Sequence, residues 1–199
     1  HDVKMIEIKN SDQLIESYYK LPNGFVNTNS ELMISEIIPG CDAKCLIQYV
    51  SYLDDKGNLL CSMTSKKLRQ DPPKYGQGRV AQSIVNSKIE EKSLKLLREL
   101  QYHGFSEIEW KYDYRDGRYK LIEINPRLIF YIGLCTNCGI NFPWIMFQDL
   151  VKKNKIKINY YKTGVYWIHL YKDFLHTFFH RKMDYCTIRD YLKPYFKNN

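Results

Sequence analysis

Oxygen-bearing side chains alternate with apolar ones in two neighbouring segments of the chain. Residues 107–113 read Glu-Ile-Glu-Trp-Lys-Tyr-Asp, and residues 119–125 read Tyr-Lys-Leu-Ile-Glu-Ile-Asn, followed by Pro126 and Arg127. Alternation with a period of two is typical of a β-strand, because successive side chains point to opposite faces. Carboxylate oxygens are the ligands that Mg²⁺ prefers, and phosphate and water complete its shell. The two segments therefore predict a metal and phosphate site on a β-hairpin.

The register of this hairpin decides whether the oxygens meet, because a shift of one residue turns a whole set of side chains to the other face. A two-residue loop would place Glu109 and Glu123 on opposite faces. A three-residue loop, with Gly117 in the left-handed conformation, pairs Glu109 with Glu123 and Glu107 with Asn125. Acidic residues opposite one another repel unless a cation lies between them, so this register predicts a bound cation.

The hairpin resembles the C-terminal metal-binding hairpin of the ATP-grasp superfamily, whose signature is an acidic residue on one strand and Glu-x-Asn on the next. It is most similar to the carboxylate-amine ligase branch, which also resembles carbamoyl-phosphate synthase large subunits and D-aspartate ligase. The resemblance implies that Glu109, Glu123 and Asn125 hold Mg²⁺, with Mn²⁺ as an alternative ion. It also implies that Arg127 contacts a phosphate or the acyl-phosphate intermediate.

A second resemblance lies in residues 32–40, which read Leu-Met-Ile-Ser-Glu-Ile-Ile-Pro-Gly. They are similar to the hinge strand of the superfamily, whose backbone binds the adenine edge and whose apolar side chains enclose the ring. The resemblance implies that Glu36, Ile37 and Ile38 bind nucleotide and that Asp42 meets the ribose hydroxyls. Without the resemblance, the segment is simply a buried strand ended by a Pro-Gly turn.

A third resemblance lies in residues 64–78, a strand end followed by a loop with two prolines, two glycines and four cationic residues. It resembles the substrate loop of the superfamily, in which Lys-x-Arg precedes Pro-Pro. Phosphoryl transfer is catalysed mainly by positioning and by charge stabilisation. The resemblance therefore implies that Lys67 and Arg69 clamp the transferring phosphoryl group. The alternative is an ordinary basic surface loop.

Composition limits the classes of partner. The formal net charge of the 199 residues is +8, which favours polyanions such as ATP or nucleic acid. The 17 tyrosines are scattered and no recognised nucleic-acid motif accompanies them, so nucleic acid is not the expected partner. The start of the chain does not read as a secretory signal, and no apolar run has transmembrane length. We therefore expect a cytoplasmic protein with reduced thiols and no membrane partner.

The pattern predicts an α+β fold: an ATP-grasp C-terminal subdomain, with a mostly antiparallel sheet flanked by helices and a helical C-terminal extension. We assign residues 1–30 to a remnant of the preceding ATP-grasp subdomain, 31–152 to the subdomain with the metal site, and 153–199 to a basic, aromatic extension. Outside the hairpin, periodicity predicts strands at 31–38, 44–53, 59–68 and 164–171, and helices at 11–19, 80–100, 139–151, 172–181 and 187–196.

The resemblance covers about residues 31–152 and lacks the glycine-rich loop and the two phosphate-binding lysines of complete relatives. It implies an ATP-dependent ligase that joins a small-molecule carboxylate to an amine through an acyl-phosphate, giving an amide. We expect the N-terminal ATP-grasp half to be supplied in cis or in trans, and this chain alone to be inactive. The alternative is a non-catalytic module that binds nucleotide or nucleic acid. The substrates and a homo-oligomeric state stay open.

Overall fold

The computed structural model describes residues 6–20, 33–72, 76–180 and 187–196, and for residues 177–180 it describes the backbone only. The chain divides into two units, residues 1–37 and residues 38–199. The first unit contains helix α1 (Ser11–Tyr19), whose N-cap Asn10 accepts a hydrogen bond from the backbone N–H of Gln13. This cap satisfies a backbone donor that has no partner within the helix.

A six-stranded sheet is the centre of the second unit, in the order β5-β4-β1-β2-β3-β6. Every pair of neighbouring strands is antiparallel. The strands are β1 (Leu46–Leu53), β2 (Leu59–Asp71), β3 (Gln77–Ile84), β4 (Gly104–Asp113), β5 (Arg118–Asn125) and β6 (Tyr166–Ile168). The predicted antiparallel sheet is thus confirmed.

Helices flank this sheet and follow it at the C-terminal end. They are α2 (Asp42–Cys45), α3 (Ser87–Glu99), α4 (Ile132–Asn137), α5 (Phe142–Leu150), α6 (Leu170–His180) and α7 (Ile188–Phe196). The α+β class and the helical C-terminal extension are as predicted. Within the described ranges, no helix is long and apolar enough to cross a membrane.

The predicted helix at residues 80–100 is wrong in its first part. Residues Gln77–Ile84 form β3, and the helix begins only at Ser87, after the N-cap Asn86. Val80 and Ala81 are fully buried in the sheet, where they pair with β2 and β6. The spacing between these residues and the apolar residues of α3 happens to match a helical period. The end of β3 and the start of α3 are instead set by strand pairing and by the Asn86 cap.

Other predicted elements also differ. The strand predicted at 164–171 covers only Tyr166–Ile168, and α6 begins at Leu170. The described part of the predicted strand at 31–38 forms neither helix nor strand, and Met33 and Ile34 are exposed. An apolar run becomes a strand only when it pairs with a neighbouring strand and buries a face. The helix predicted at 139–151 begins at Phe142, because Pro143 occupies its first turn, where a missing N–H costs nothing. A short helix, α4, precedes it and was not predicted.

The two faces of the sheet differ in chemistry. Helix α3 covers the first face, where Ile89 and Leu97 pack against strand residues that include Tyr49 and Ile108. Helices α4 and α5 cover one part of the second face with an apolar cluster. The remaining part carries buried polar side chains, which we call the polar strip: Gln48, Ser65, Lys67, Glu107 and Glu109.

The packing of α3 gives a direct test of the first core. Leu97→Ala removes a fully buried side chain and should lower the free energy of unfolding by about 2–5 kcal/mol, because it leaves a cavity. Leu100→Ala changes an exposed leucine at the end of the same helix and should alter it by roughly 0.5 kcal/mol or less. Urea unfolding measures both values. Equal losses for the two variants would contradict this packing.

Candidate active site

The pairing of β4 with β5 brings the predicted metal ligands together. Glu109 lies opposite Glu123, and Glu107 lies opposite Asn125, which confirms the predicted register. Directly opposite residues in an antiparallel pair have their Cβ atoms about 4.5–5.5 Å apart. Three carboxylates and one amide therefore share one face at the edge of the sheet.

The hairpin reaches this register by a route that differs from the prediction. Asp113 pairs with Arg118, so the loop has four residues and not three. A four-residue loop alone would set Glu109 opposite Ile122. The register changes between residues 109 and 110, which makes Ile122 the extra residue of a β-bulge and restores the pairing at the site. Gly117 has the expected positive φ, 68°, at the end of the loop.

Two of the carboxylates are buried beside a lysine. Glu107 and Glu109 are 4% and 6% exposed, respectively. The Nε2 of Gln48 donates hydrogen bonds to Oε1 of both carboxylates, each over 2.8 Å. The Lys67 Nζ lies 2.7 Å from Oε1 of Glu109. One amide and one ammonium group thus stabilise two buried acids on adjacent positions of one strand face.

The remaining residues of the hairpin close the outer side of the cluster. The Asn125 Nδ2 donates to Glu123 Oε1 over 2.7 Å. Arg127, directly after the strand, places Nη1 3.4 Å from Glu107 Oε2. The guanidinium of Arg127 is mostly exposed, so it can meet a ligand that approaches from solvent while its charge still acts on Glu107. The hairpin residues proposed from the sequence thus fall into two bonded sets, Arg127 with Glu107 and Asn125 with Glu123, which strand pairing brings onto one face beside Glu109.

The electrostatics of the cluster favour an additional cation. Burial, followed by the charge of Glu109, raises the pKa of Glu107 to about 7, although Lys67 and Arg127 oppose this shift. Burial disfavours the charged form, and a nearby like charge disfavours it further. Lys67 contacts Glu109 and Arg127 contacts Glu107, whereas Glu123, opposite Glu109, has an amide and not a cation as its hydrogen-bond partner.

The donor set fits a hard divalent ion. Glu109, Glu123 and Asn125 offer only oxygen ligands, which are the ligands that Mg²⁺ takes. In this structure these side chains bond one another and Lys67, and within the described residues no three His, Cys, Asp or Glu side chains converge on one point in metal-binding geometry. An ion shared by Glu109 and Glu123 would therefore compete with the contacts that these carboxylates make with Lys67 and Asn125.

The two cations predicted from the basic segment both lie on β2, which extends three residues beyond the predicted strand and so includes Arg69 as well as Lys67. Strand β2 continues to Asp71, and the prolines follow it. Lys67 faces the carboxylates, as described above. Arg69 is buried and forms a bidentate ion pair with Asp173 of α6, through Nε and Nη2 over 2.8 Å each. The structure thus joins Lys67 to the metal cluster and Arg69 to the C-terminal extension.

The residues predicted to bind nucleotide fall in different places. Glu36 and Ile37 are exposed residues of the first unit. Ile38 begins the second unit and is partly buried. Asp42, at the start of α2, accepts a hydrogen bond from Gln70 and forms an ion pair with Lys111, both over 2.7 Å. Their roles toward nucleotide stay predictions.

Sequence reasoning missed two residues that the structure makes central, Gln48 and Asp173. Strand β1 reads Leu-Ile-Gln-Tyr-Val-Ser-Tyr-Leu, and Gln48 is the polar residue on a face otherwise formed by Leu46, Val50 and Tyr52. A lone amide at an inward position was therefore a usable signal, because a buried polar group needs a partner. Asp173 had no comparable signal, since an aspartate in a first helical turn is ordinary.

A family model supplies the class of protein. Residues 31–170, more than half of the chain, match the model described as "ATP-grasp in the biosynthetic pathway with Ter operon". The chain therefore belongs to this ATP-grasp family. The match includes the whole hairpin, the polar strip and the segment with the predicted nucleotide residues, and it ends at the start of α6.

Individual proteins resemble parts of the chain. The chain is 31% identical over 124 residues to the D-aspartate ligase of Enterococcus faecium (strain Aus0004). The aligned region covers 61% of this chain and 29% of that protein. The chain spans less than a third of the length of that relative.

Among solved structures, a biotin carboxylase from Campylobacter jejuni in complex with β,γ-ATP has a TM-score of 0.49 and 17% identity, over 61% of this chain and 28% of that one. A second structure is the biotin carboxylase domain of Hydrogenobacter thermophilus 2-oxoglutarate carboxylase, solved with MgADP, ADP and bicarbonate. It has a TM-score of 0.48 and 14% identity, over 61% of this chain and 28% of that one. Both TM-scores are below 0.5, so the family membership depends on the sequence match alone.

The Lys67–Glu109 contact predicts a large effect of one lysine and a small effect of its neighbour. Lys67→Met leaves the buried Glu109 without its ammonium partner and should lower the free energy of unfolding by about 3–5 kcal/mol. Lys66→Met is the matched control, because Lys66 is on the opposite face of the same strand. Chemical denaturation at neutral pH measures both. A Lys67→Met variant as stable as Lys66→Met would contradict the contact.

Proposed function

We propose that the protein is an ATP- and Mg²⁺-dependent carboxylate-amine ligase, or the metal-binding part of one. In this reaction ATP phosphorylates a substrate carboxylate, and an amine then attacks the acyl-phosphate to give an amide, ADP and phosphate. The observation that carries the proposal is the pairing of Glu109 with Glu123 and of Glu107 with Asn125 across the hairpin of an ATP-grasp family member. The similarity to a D-aspartate ligase supports the same class of reaction.

The hairpin residues have distinct parts in the proposed reaction. Glu109, Glu123 and Asn125 would hold Mg²⁺, with Mn²⁺ as a substitute, and the ion supplies charge neutralisation on the phosphoryl oxygens. Lys67 is 2.7 Å from Glu109, so its ammonium group would lie beside the same phosphoryl group and stabilise its charge. Arg127 is bonded to Glu107 on one side and exposed on the other, which suits contact with the phosphate or the acyl-phosphate.

The nucleotide would lie against the segment that leads into β1. Ile38 and Asp42 belong to this segment, and Glu36 and Ile37 precede it along the chain. We propose that the phosphate-binding half of the ATP site comes from polypeptide outside these 199 residues, in cis or in trans. The carboxylate, the amine, a homo-oligomeric state and cytoplasmic location belong to the same proposal.

Metal binding by the hairpin can be measured on the chain itself. Glu123→Gln removes a carboxylate that the ion needs and should abolish the binding of Mn²⁺ followed by electron paramagnetic resonance. Glu91→Gln is the matched control, because Glu91 is an exposed residue of α3 on the other side of the sheet. Mn²⁺ binding that survives Glu123→Gln unchanged would refute the assignment of this residue.

Catalysis requires a preparation that contains a complete ATP-grasp site. In such a preparation, ADP release from ATP should depend on both an acid and an amine, supplied from a panel of amino acids. Glu123→Gln should abolish the amine-dependent release, because the transferring phosphoryl group loses its metal. The Glu91→Gln protein should keep it. Turnover retained by Glu123→Gln would contradict the proposed mechanism.

A non-catalytic role remains the second candidate, and the net charge of +8 is the observation that favours it. A basic surface binds single-stranded nucleic acid with affinity that falls steeply as salt rises. Titrations of the chain with Mg-ATP and with a single-stranded oligonucleotide, each at low and at high salt, separate the candidates. Tight and strongly salt-dependent oligonucleotide binding without a nucleotide response would favour the second.

A further inference from the structure

The carboxylate of Asp173 lies at the centre of a buried cluster between the sheet and the C-terminal helices. It is fully buried and accepts two hydrogen bonds from Arg69. The Nε of Arg79, which is also fully buried, lies 3.3 Å from its Oδ1. The hydroxyl of Tyr195 on α7 donates to its Oδ2 over 2.6 Å. One carboxylate thus contacts two guanidinium groups and a phenol.

Two guanidinium groups around one carboxylate are also the arrangement by which arginine side chains bind an oxyanion ligand. A guanidinium binds carboxylate and phosphate alike through parallel N–H donors, and Arg69 binds Asp173 in this bidentate way. The Tyr191 ring lies beneath the Arg69 guanidinium, 4.9 Å from centroid to Cζ, and holds it in plane. The donors are therefore fixed in position before any ligand arrives.

The two arginines and the aspartate differ in their relation to the family. Arg69 and Arg79 belong to β2 and β3, within the residues that match the ATP-grasp model. Asp173 and Tyr195 lie on α6 and α7, beyond residue 170 where the match ends. The donors thus come from the family core, and the carboxylate comes from the extension that follows it.

We propose that Arg69 and Arg79 form a binding site for the oxyanion of a phosphoryl or carboxylate ligand, and that Asp173 of α6 fills this site when the ligand is absent. The ligand takes the place of Asp173 at the two guanidinium groups, and the first turn of α6 moves away to admit it. The extension is therefore an internal competitor for the site.

The arginine site and the metal cluster are linked through strand β2. Arg69 and Lys67 are two positions apart on this strand, and its pairing with β3 is irregular between them. Lys67 bonds Glu109 of the metal cluster, and Arg69 bonds Asp173. One strand thus supplies a cation to the metal cluster and, two residues later, a cation to the arginine site. The identity of the oxyanion as phosphoryl or carboxylate rests on the proposed ligase function.

Thermal unfolding of the chain and of its Asp173→Asn variant tests the site. The variant keeps the shape of the side chain and removes the negative charge, so the two buried guanidinium groups should bind an added anion. Sodium phosphate, at about one hundred times its Kd, should raise the Tm of the variant by roughly 5–10 °C over sodium chloride of equal ionic strength. The unchanged chain should show a smaller rise at the same phosphate concentration, because Asp173 competes with the anion for the site.

The controls separate this site from general ion effects. Asp190→Asn makes the same substitution at an exposed position of the neighbouring helix and should show only the smaller rise of the unchanged chain. The double variant Arg69→Gln, Asp173→Asn should lose the response. An acetate series run beside the phosphate series distinguishes a carboxylate ligand from a phosphoryl ligand, and a response to either supports the site.

The results of these unfolding measurements either support or overturn the oxyanion site. If Asp173→Asn is unfolded in chloride, recovery of its helical circular dichroism on addition of phosphate or acetate supports the site, and no recovery overturns it. A folded variant with no response to either anion, or a response that survives Arg69→Gln, also overturns it. Mn²⁺ binding by the hairpin is a separate measurement, so failure of the metal assignment and failure of the oxyanion site are distinguishable.

Discussion

Two carboxylates held side by side on a buried strip of sheet are the constraint on which the rest of the site depends. Glu107 and Glu109 cannot both be charged and buried without compensation, because each loses its hydration and each repels the other. The neighbouring strands meet this requirement with Gln48 from β1 and Lys67 from β2. Gln48 and Lys67 of the polar strip therefore follow from the need to stabilise two buried acids on the hairpin.

The same constraint explains how the sheet face is divided. Helices α4 and α5 seal the apolar part, and Tyr131 marks the boundary, where its hydroxyl bonds Ser65 over 3.0 Å. Beyond that boundary the face carries buried polar side chains that satisfy one another, Gln48 and Lys67 with Glu107 and Glu109. The side chains of the strip are themselves buried, so a ligand would reach the cluster from the hairpin edge, where Glu123 and Arg127 are exposed.

Sequence reasoning succeeded where a pattern was local and failed where a partner was distant. The period of two and the Glu-Ile-Asn run sufficed for the hairpin and for the pairing of its acidic residues, but not for the four-residue loop and the bulge that together produce this pairing. Strand β3 was mistaken for helix, because its apolar residues continue the spacing of α3 and only pairing with β2 distinguishes the two. Arg69 was assigned to a loop facing ligand. Its contact with Asp173 spans 104 positions of the chain and leaves no trace in the local pattern.

The β-bulge at Ile122 has a consequence for how the hairpin can change during evolution. The tip of the hairpin and the acidic cluster obey different registers, and the bulge absorbs the difference between them. Deletion of one residue from the tip can be offset by loss of the bulge, since the two changes together return Glu123 to its place opposite Glu109. A shorter tip is thus compatible with the site when Ile122 joins the regular strand pairing and the bulge is lost. Homologous hairpins of unequal length can therefore present the same set of oxygens.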